Sequence, residues 1–315
     1  MSDQRILFMG TPEFACGTLN ALVEAGLDVA GVVTAPDKPA GRGRQLRESA
    51  VKIRARELGL PILQPERLKD PAFLEALDGI GASLYVVVAF RMLPEMLWNR
   101  PKHGTVNLHA SLLPDYRGAA PINWAVINGE ERTGVTTFKL RHEIDTGDIL
   151  LQEELPIGEE ETAGELHDRM MRIGATLMVR TVRGLFSNTL VPMPQQEGVT
   201  HAAPKLTPEN CRIDWTADAH AIHNLVRGLS PFPGAWTTWN SDDAAPLHFK
   251  ILRARPAAAN GAEQPGFVRI ADGRILISTN TGWMEAMDVQ PEGKRRMDAA
   301  SFARGLRNTN GVHVV

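Results

Sequence analysis

The run Tyr85-Val86-Val87-Val88, inside a strand expected at residues 83–89, has no polar residue to interrupt it. A strand that reads apolar on both faces must be covered on both, which places it in the middle of a sheet sandwiched by helices. The flanking segments alternate accordingly, with strands at residues 5–9 and 29–34, helices at 12–25 and 49–58, and a further strand at 104–109. Such βαβ rhythm predicts an α/β fold: a Rossmann-like open, parallel sheet with helices on both faces. Thr11 reads as an N-cap, with Pro12 at the first helical position, where its missing N–H costs nothing.

Beyond residue 118 the pattern predicts a helix to about 128, strands at 133–140 and 148–156, and a polar loop at 141–147. Thr162 and Glu165 form a capping box that opens a long helix ending near 187. Residues 191–206, proline-rich and without periodicity at first, read as a linker. After residue 207 a helix at 217–229 precedes short β-rich runs at 235–239, 247–254, 266–270, 274–278 and 283–289, and a helix at 298–306 follows. Short strands separated by turn signals predict a small antiparallel barrel. A chain of 315 residues exceeds what one core usually serves, so two domains are expected, at 1–190 and 207–315.

Composition narrows the function classes. Two cysteines, Cys16 and Cys211, supply neither a disulfide framework nor a paired-thiol zinc site and fit a reducing cytoplasm. No apolar run approaches a membrane span, and the opening residues lead directly into a strand, so a protein that is neither exported nor membrane-bound is expected. A net charge of −3 opposes binding to nucleic acid through bulk charge. RNA contacts would have to come from local clusters such as Arg42, Arg44 and Arg47, or Lys294, Arg295 and Arg296, for which solvated loops are the plain alternative. Gly10-Thr11-Pro12 lacks the dinucleotide-binding spacing, and no phosphate-binding P-loop occurs. His220 and His223 are one helical turn apart without a carboxylate or thiol at ligand spacing, so they read as surface histidines and not as a metal site. Trp215, Trp236, Trp239 and Trp283 read mostly as barrel core.

The chemistry concentrates at the end of the 104–109 strand. Asn107 and His109 are two residues apart, so their side chains share one face, and they end at the carboxyl edge where open α/β folds dock ligands. A polar pair there, running into Ser111-Leu112-Leu113-Pro114, builds a poor core and a good site. Asp145, in Ile144-Asp145-Thr146-Gly147-Asp148, could supply a carboxylate; by residue type alone it reads first as a turn former. An amide that donates to an oxygen, an imidazole that moves a proton and a carboxylate that orients it suffice for acyl transfer through a tetrahedral intermediate, without metal or covalent nucleophile.

Five stretches together are highly specific: Met9-Gly10-Thr11-Pro12-Glu13-Phe14, residues 36–44 from Pro36 to Arg44, Asn107 through Pro114, Arg117-Gly118-Ala119-Ala120-Pro121-Ile122, and Asp145-Thr146-Gly147-Asp148. In this order the chain resembles the folate-dependent formyltransferase family over nearly its whole length, in the branch acting on methionyl initiator tRNA. The resemblance implies 10-formyltetrahydrofolate as co-substrate, the methionyl α-amine of initiator tRNA as acceptor and no metal. It also implies an OB-like, tRNA-binding barrel at 207–315, and it sets Asp145 beside His109, with Asn107, His109 and Asp145 as the catalytic residues. Ser111, Leu112, Leu113 and Pro114 would pass beneath the formyl-bearing end of the folate. Phe90, Arg91 and Met92, with residues 140–144, would enclose its pterin, and Lys38, Arg42 and Arg44 would grip the tRNA acceptor end. Asp148 would be the replaceable strand-entry residue. Arg91 departs from the pattern, standing where tRNA-formylating members commonly carry glycine. Sugar-amine formyltransferases, which use the same donor, are the alternative; they lack the arginine-bearing loop at 38–47. A cytoplasmic monomer is the default expectation.

Overall fold

The computed structural model describes residues 4–40, 45–196, 198, 201–242, 244–258, 261, 263–306, 308 and 311–315. The chain divides into two compact units, one of Met1–Gly118, Thr133–Leu155 and His167–Ala202, the other of Ala119–Arg132, Pro156–Leu166 and Ala203–Val315. Among the described residues no helix is long and apolar enough to cross a membrane.

The first unit is built on seven strands, β1 (Arg5–Gly10), β2 (Asp28–Val33), β3 (Ile62–Leu63), β4 (Leu84–Val88), β5 (Thr105–His109), β6 (Arg132–Lys139) and β7 (Ile149–Pro156), in the order β7-β6-β5-β4-β1-β2-β3. Strands β1 to β5 pair in parallel, as the alternation in the first half implies, whereas β5 and β6 are antiparallel. The cause is the connection: helix Pro121–Ile127 falls in the other unit and is no crossover, so the chain re-enters the sheet at its carboxyl edge and runs back. On one face Leu7, Met9, Tyr85 and Val87 pack with Phe73 and Leu77 of helix Pro71–Ile80 and Leu97 of helix Glu95–Trp98. On the other, a Cβ at Gly174 of helix Ala163–Phe186 would lie 2.8 Å from Leu108, and one at Gly17 of helix Glu13–Glu24 would lie 2.7 Å from Met171. Glycine thus lets one long helix press onto both β5 and its neighbouring helix.

Local signals explain most boundaries. Ser49 accepts from the Lys52 N–H at 3.0 Å and starts helix Ala50–Glu57. Thr162 and Glu165 exchange the two bonds of the expected capping box, at 2.8 and 3.2 Å. Thr11 does not cap: Pro12 itself takes the N-cap place, because its ψ of 177° is extended and delays the first helical residue to Glu13. Helix Pro71–Ile80, absent from the expected pattern, carries a plain start signal in Asp70-Pro71, with Asp70 accepting from the Ala72 N–H at 2.9 Å.

The second unit contains β8 (Ala235–Ser241), β9 (Ala244–Ala257), β10 (Val268–Ala271), β11 (Arg274–Ser278), β12 (Trp283–Pro291), β13 (Met297–Asp298) and β14 (His313–Val314). They run β10-β11-β12-β9-β8-β14, with β13 on β12. Residues of β14 pair with β8 and also return to the start of the ribbon, since Val314 N–H donates to the Gly266 carbonyl at 2.8 Å and His313 bridges Phe267. The antiparallel sheet is therefore nearly closed and barrel-like. Two register shifts bend β9, which runs 14 residues where a shorter strand was expected. Helix Ala219–Leu229, capped by Asp218, fills the interior with Ile222, Val226 and Leu229 beside Trp215, Trp239 and Phe249. His223 lies on the same stripe, buried, with Nδ1 2.9 Å from the Ala254 carbonyl, so of the expected surface pair only His220 is exposed. Trp215, Trp239 and Trp283 are core; Trp236 is half-buried under the Arg212 guanidinium.

Glu285 on β12 accepts from Arg274 at 2.7 and 2.9 Å and from Arg255 Nε on β9 at 3.0 Å, tying three strands with one nearly buried carboxylate. The Arg274 guanidinium above all, and Arg255 further, hold its carboxyl below the usual glutamate value against the opposing push of burial. A depressed folded value means that the stabilisation is complete above the unfolded pKa near 4.5 and is lost as pH falls through the folded one. Glu285→Gln is expected to destabilise the barrel by about 1–3 kcal/mol at neutral pH. In denaturant unfolding the gap to the parent should close toward pH 3; a gap independent of pH would contradict the ion-pair account.

Candidate active site

The parallel register of β5 against β4 aligns Asn107 with Val87, so Asn107 and His109 rise on the face that also carries Tyr85 and Val87. Asn107 is half-buried, and its Oδ1 is enclosed without a hydrogen-bond partner. An unpaired buried amide oxygen is costly in a structural role and ordinary in a site that binds something. His109 is only 6% exposed, with the Phe138 ring edge-on at 6.5 Å. Its Nε2 lies 2.9 Å from the Tyr116 carbonyl. A carbonyl can only accept, so Nε2 carries the hydrogen and Nδ1 is the nitrogen left for chemistry. Nδ1 is directed at Asp145 Oδ2, 3.8 Å away. That separation is too long for a direct hydrogen bond, and it suits a bridging water or substrate N–H.

Asp145 reaches this place from a left-handed backbone, φ +54°, which a residue with a Cβ adopts at a cost. Three contacts hold it. The Gly118 N–H donates to Oδ2 at 3.1 Å, and the Gln195 amide nitrogen donates to the carbonyls of Asp145 and Gly147, each at 2.8 Å. Gly147 is obligatory: a Cβ there would fall 1.5 Å from the Lys139 carbonyl oxygen. Asp148, which leads into β7, pairs one carboxylate oxygen with Arg141 at 2.6 Å while the other is buried.

The loop after β5 is tied from below. Thr136 Oγ1 donates to the Ser111 carbonyl at 2.7 Å and accepts from the Leu113 N–H at 3.1 Å, while Gln152 donates to the Leu113 carbonyl at 2.9 Å. The Ser111 hydroxyl is spent on the Asp115 carbonyl, and Leu113 is buried with Phe138 and Ile149. Those two side chains hold the loop from within, while Leu112 and Pro114 beside them are half-buried. Past β4, Ala89 is left-handed at φ +46°, Phe90 is half-buried, and Met92 is 72% exposed. Arg91 donates to the Glu66 carbonyl at 3.0 Å and to that of Pro65, with its guanidinium 5.6 Å from the Phe90 ring centre. Arg91 thus ties its loop to the turn after β3. Lys38 is exposed at the base of a hairpin, Lys38–Ala40 with Gln45–Arg47; Lys52 reaches both Asp37 and Glu48 beside its two stems. Arg42 and Arg44 lie outside the described residues.

Reading the sequence missed three contributors: the Tyr116 carbonyl, the Gly118 N–H and Gln195. The first two lie in or beside a quoted stretch but act through backbone, which no residue type announces. Gln195 sits in the segment read as linker, where nothing local marks it. Among the described residues no group of three or more His, Cys, Asp or Glu is placed to hold a metal ion.

An open α/β sheet with an amide, an imidazole and a carboxylate at its carboxyl edge, followed by a small antiparallel barrel, places the groups that acyl transfer needs where such sheets bind ligands. The chain belongs to the formyl transferase family, whose model "Formyl transferase" matches residues 4–182 and whose "Formyl transferase, C-terminal domain" matches residues 205–307. It is 48% identical over 312 residues to the methionyl-tRNA formyltransferase of Parabacteroides distasonis, covering 97% of this chain and 96% of that one. It is 45% identical to the methionyl-tRNA formyltransferase of Bacteroides thetaiotaomicron, covering 98% of each. Among solved structures, WlaRD, a sugar 3N-formyl transferase determined in the presence of dTDP and 5-N-formyl-THF, shares the fold at TM-score 0.65 and 18% identity, covering 94% of this chain and all of that one.

Gly147→Ala tests the turn directly. The clash with the Lys139 carbonyl should displace the Asp145 turn, reducing turnover by about a hundredfold, the usual scale for misplacing a reacting group by an ångström. Steady-state kinetics with a melting curve would check it, and parental turnover would show that the turn does not position the site.

Proposed function

We propose that this enzyme transfers the formyl group of 10-formyltetrahydrofolate to the α-amine of methionine esterified to initiator tRNA. The observation that carries the chemistry is the His109 Nδ1 to Asp145 Oδ2 approach of 3.8 Å, with Nε2 already committed to Tyr116. The full-length relatives named methionyl-tRNA formyltransferase support the acceptor. The folate supplies the formyl carbon and a nitrogen leaving group.

As the neutral amine adds to that carbon, negative charge develops on the formyl oxygen. Asn107 donates an amide hydrogen to it, and protonated His109 donates from Nδ1. Asp145 keeps the imidazole ring in register and takes up the proton that the amine becomes able to lose, directly or through one water in the gap beside Nδ1. The carbon then releases the folate nitrogen, which gains a proton, so one C–N bond forms, one breaks and the proton count is unchanged. The 111–114 loop, tied at Leu113 by Thr136 and Gln152, supports the folate along the same edge, with Ser111, Leu112, Leu113, Pro114, Phe90, Arg91 and Met92 beside it. The first unit, which runs on to Ala202, serves for catalysis and the barrel at 207–315 binds tRNA, while Lys38, Arg42 and Arg44 hold the acceptor end.

The direct experiment offers the purified protein 10-formyltetrahydrofolate with either methionyl initiator tRNA or an amino sugar nucleotide. Formylation of the tRNA is expected; formylation of the sugar alone would move the chain to the other branch. Asn107→Ala and His109→Ala should each lower turnover by about a hundred- to a thousandfold, and undiminished transfer by either would refute the mechanism. Arg42→Ala should raise the KM for tRNA far more than that for the folate, whereas equal effects would remove the loop assignment.

A further inference from the structure

We propose that Gln195 is a positioning residue for the transfer reaction, acting through Asp145; this rests on the catalytic reading of Asn107, His109 and Asp145. Its side-chain nitrogen donates one hydrogen to the Asp145 carbonyl and the other to the Gly147 carbonyl, both at 2.8 Å, and its oxygen accepts from Arg117 Nε at 3.1 Å and from Nη2. Every polar valence of the amide is used. Its orientation is also fixed by its partners, because a guanidinium can only donate and carbonyls can only accept.

The partners matter more than their number. Arg117 stands between Tyr116, whose carbonyl holds His109 Nε2, and Gly118, whose N–H holds the Asp145 carboxylate. Through Arg117 and Gln195 the same turn also grips the backbone of the Asp145 loop. The imidazole and the carboxylate are thus referenced to one three-residue segment, and Gln195 is the strut that keeps the strained φ of +54° at Asp145 from relaxing. A purely anchoring role, docking the 191–196 segment on the unit, has another provider: Met193 and Ile149 exchange both backbone hydrogen bonds at 2.8 Å, and these survive any substitution at 195.

Gln195→Leu removes the strut, and Gln195→Glu keeps an acceptor for Arg117 while facing two carbonyls with no hydrogen to give. Both variants should lose about 10- to 100-fold in kcat, with each KM within about threefold of the parent, and with the pH profile of kcat displaced because the His109 to Asp145 spacing is altered. The parent and His109→Ala are measured alongside: a parent that does not formylate methionyl initiator tRNA, or a His109→Ala variant as active as the parent, overturns the proposed function itself. With those controls as expected, an unchanged kcat in Gln195→Leu, or a loss confined to KM with a superimposable pH profile, overturns the role of Gln195 alone. If Gln195→Leu does not fold, Arg117→Met cuts the same connection from its other end and is read by the same criteria.

Discussion

The hydrogen bond from His109 Nε2 to the Tyr116 carbonyl is the constraint on which the rest of the site depends. It occupies one ring nitrogen and leaves the other directed at a carboxylate 3.8 Å away. Two residues further on, the Gly118 N–H fixes that carboxylate. Donor and acceptor roles alternate along a single turn, so imidazole and carboxylate cannot drift independently. The cost is borne in backbone conformation: Tyr116 and Asp145 both take positive φ, at +58° and +54°.

The sheet explains why the turn lies where it does. A continuous parallel β-sheet would have sent the chain after β5 into a crossover helix packed on the sheet. Here residues 110–118 stay at the carboxyl edge, and β6 returns antiparallel, with Thr136 tying down the loop at Ser111 and Leu113. Leaving the parallel pattern at that strand opens the edge and gives it a rigid floor.

The fold was largely legible in the sequence, because hydrophobic period and capping chemistry are local. The central strand, the capping box at Thr162 and Glu165 and the strand-rich second half follow from patterns of a few residues. What escaped notice depends on distant partners. The antiparallel turn of β6 is decided by where a helix packs, and the burial of His223 by the stripe it shares with Ile222 and Val226. In the site, Asn107 and His109 were visible as a polar pair where a core should be, whereas Asp145 looked like a turn residue and in fact occupies one. Backbone donors at 116–118 and an amide from the linker leave no imprint in residue type.

The central claim is that Nδ1 of His109 is the working nitrogen and Nε2 is held by Tyr116. Nitrogen-15 NMR of the imidazole in the full-length enzyme, followed through its titration, measures this directly. The account predicts a neutral form protonated at Nε2, with the proton gained and lost at Nδ1. A neutral form protonated at Nδ1 would contradict it.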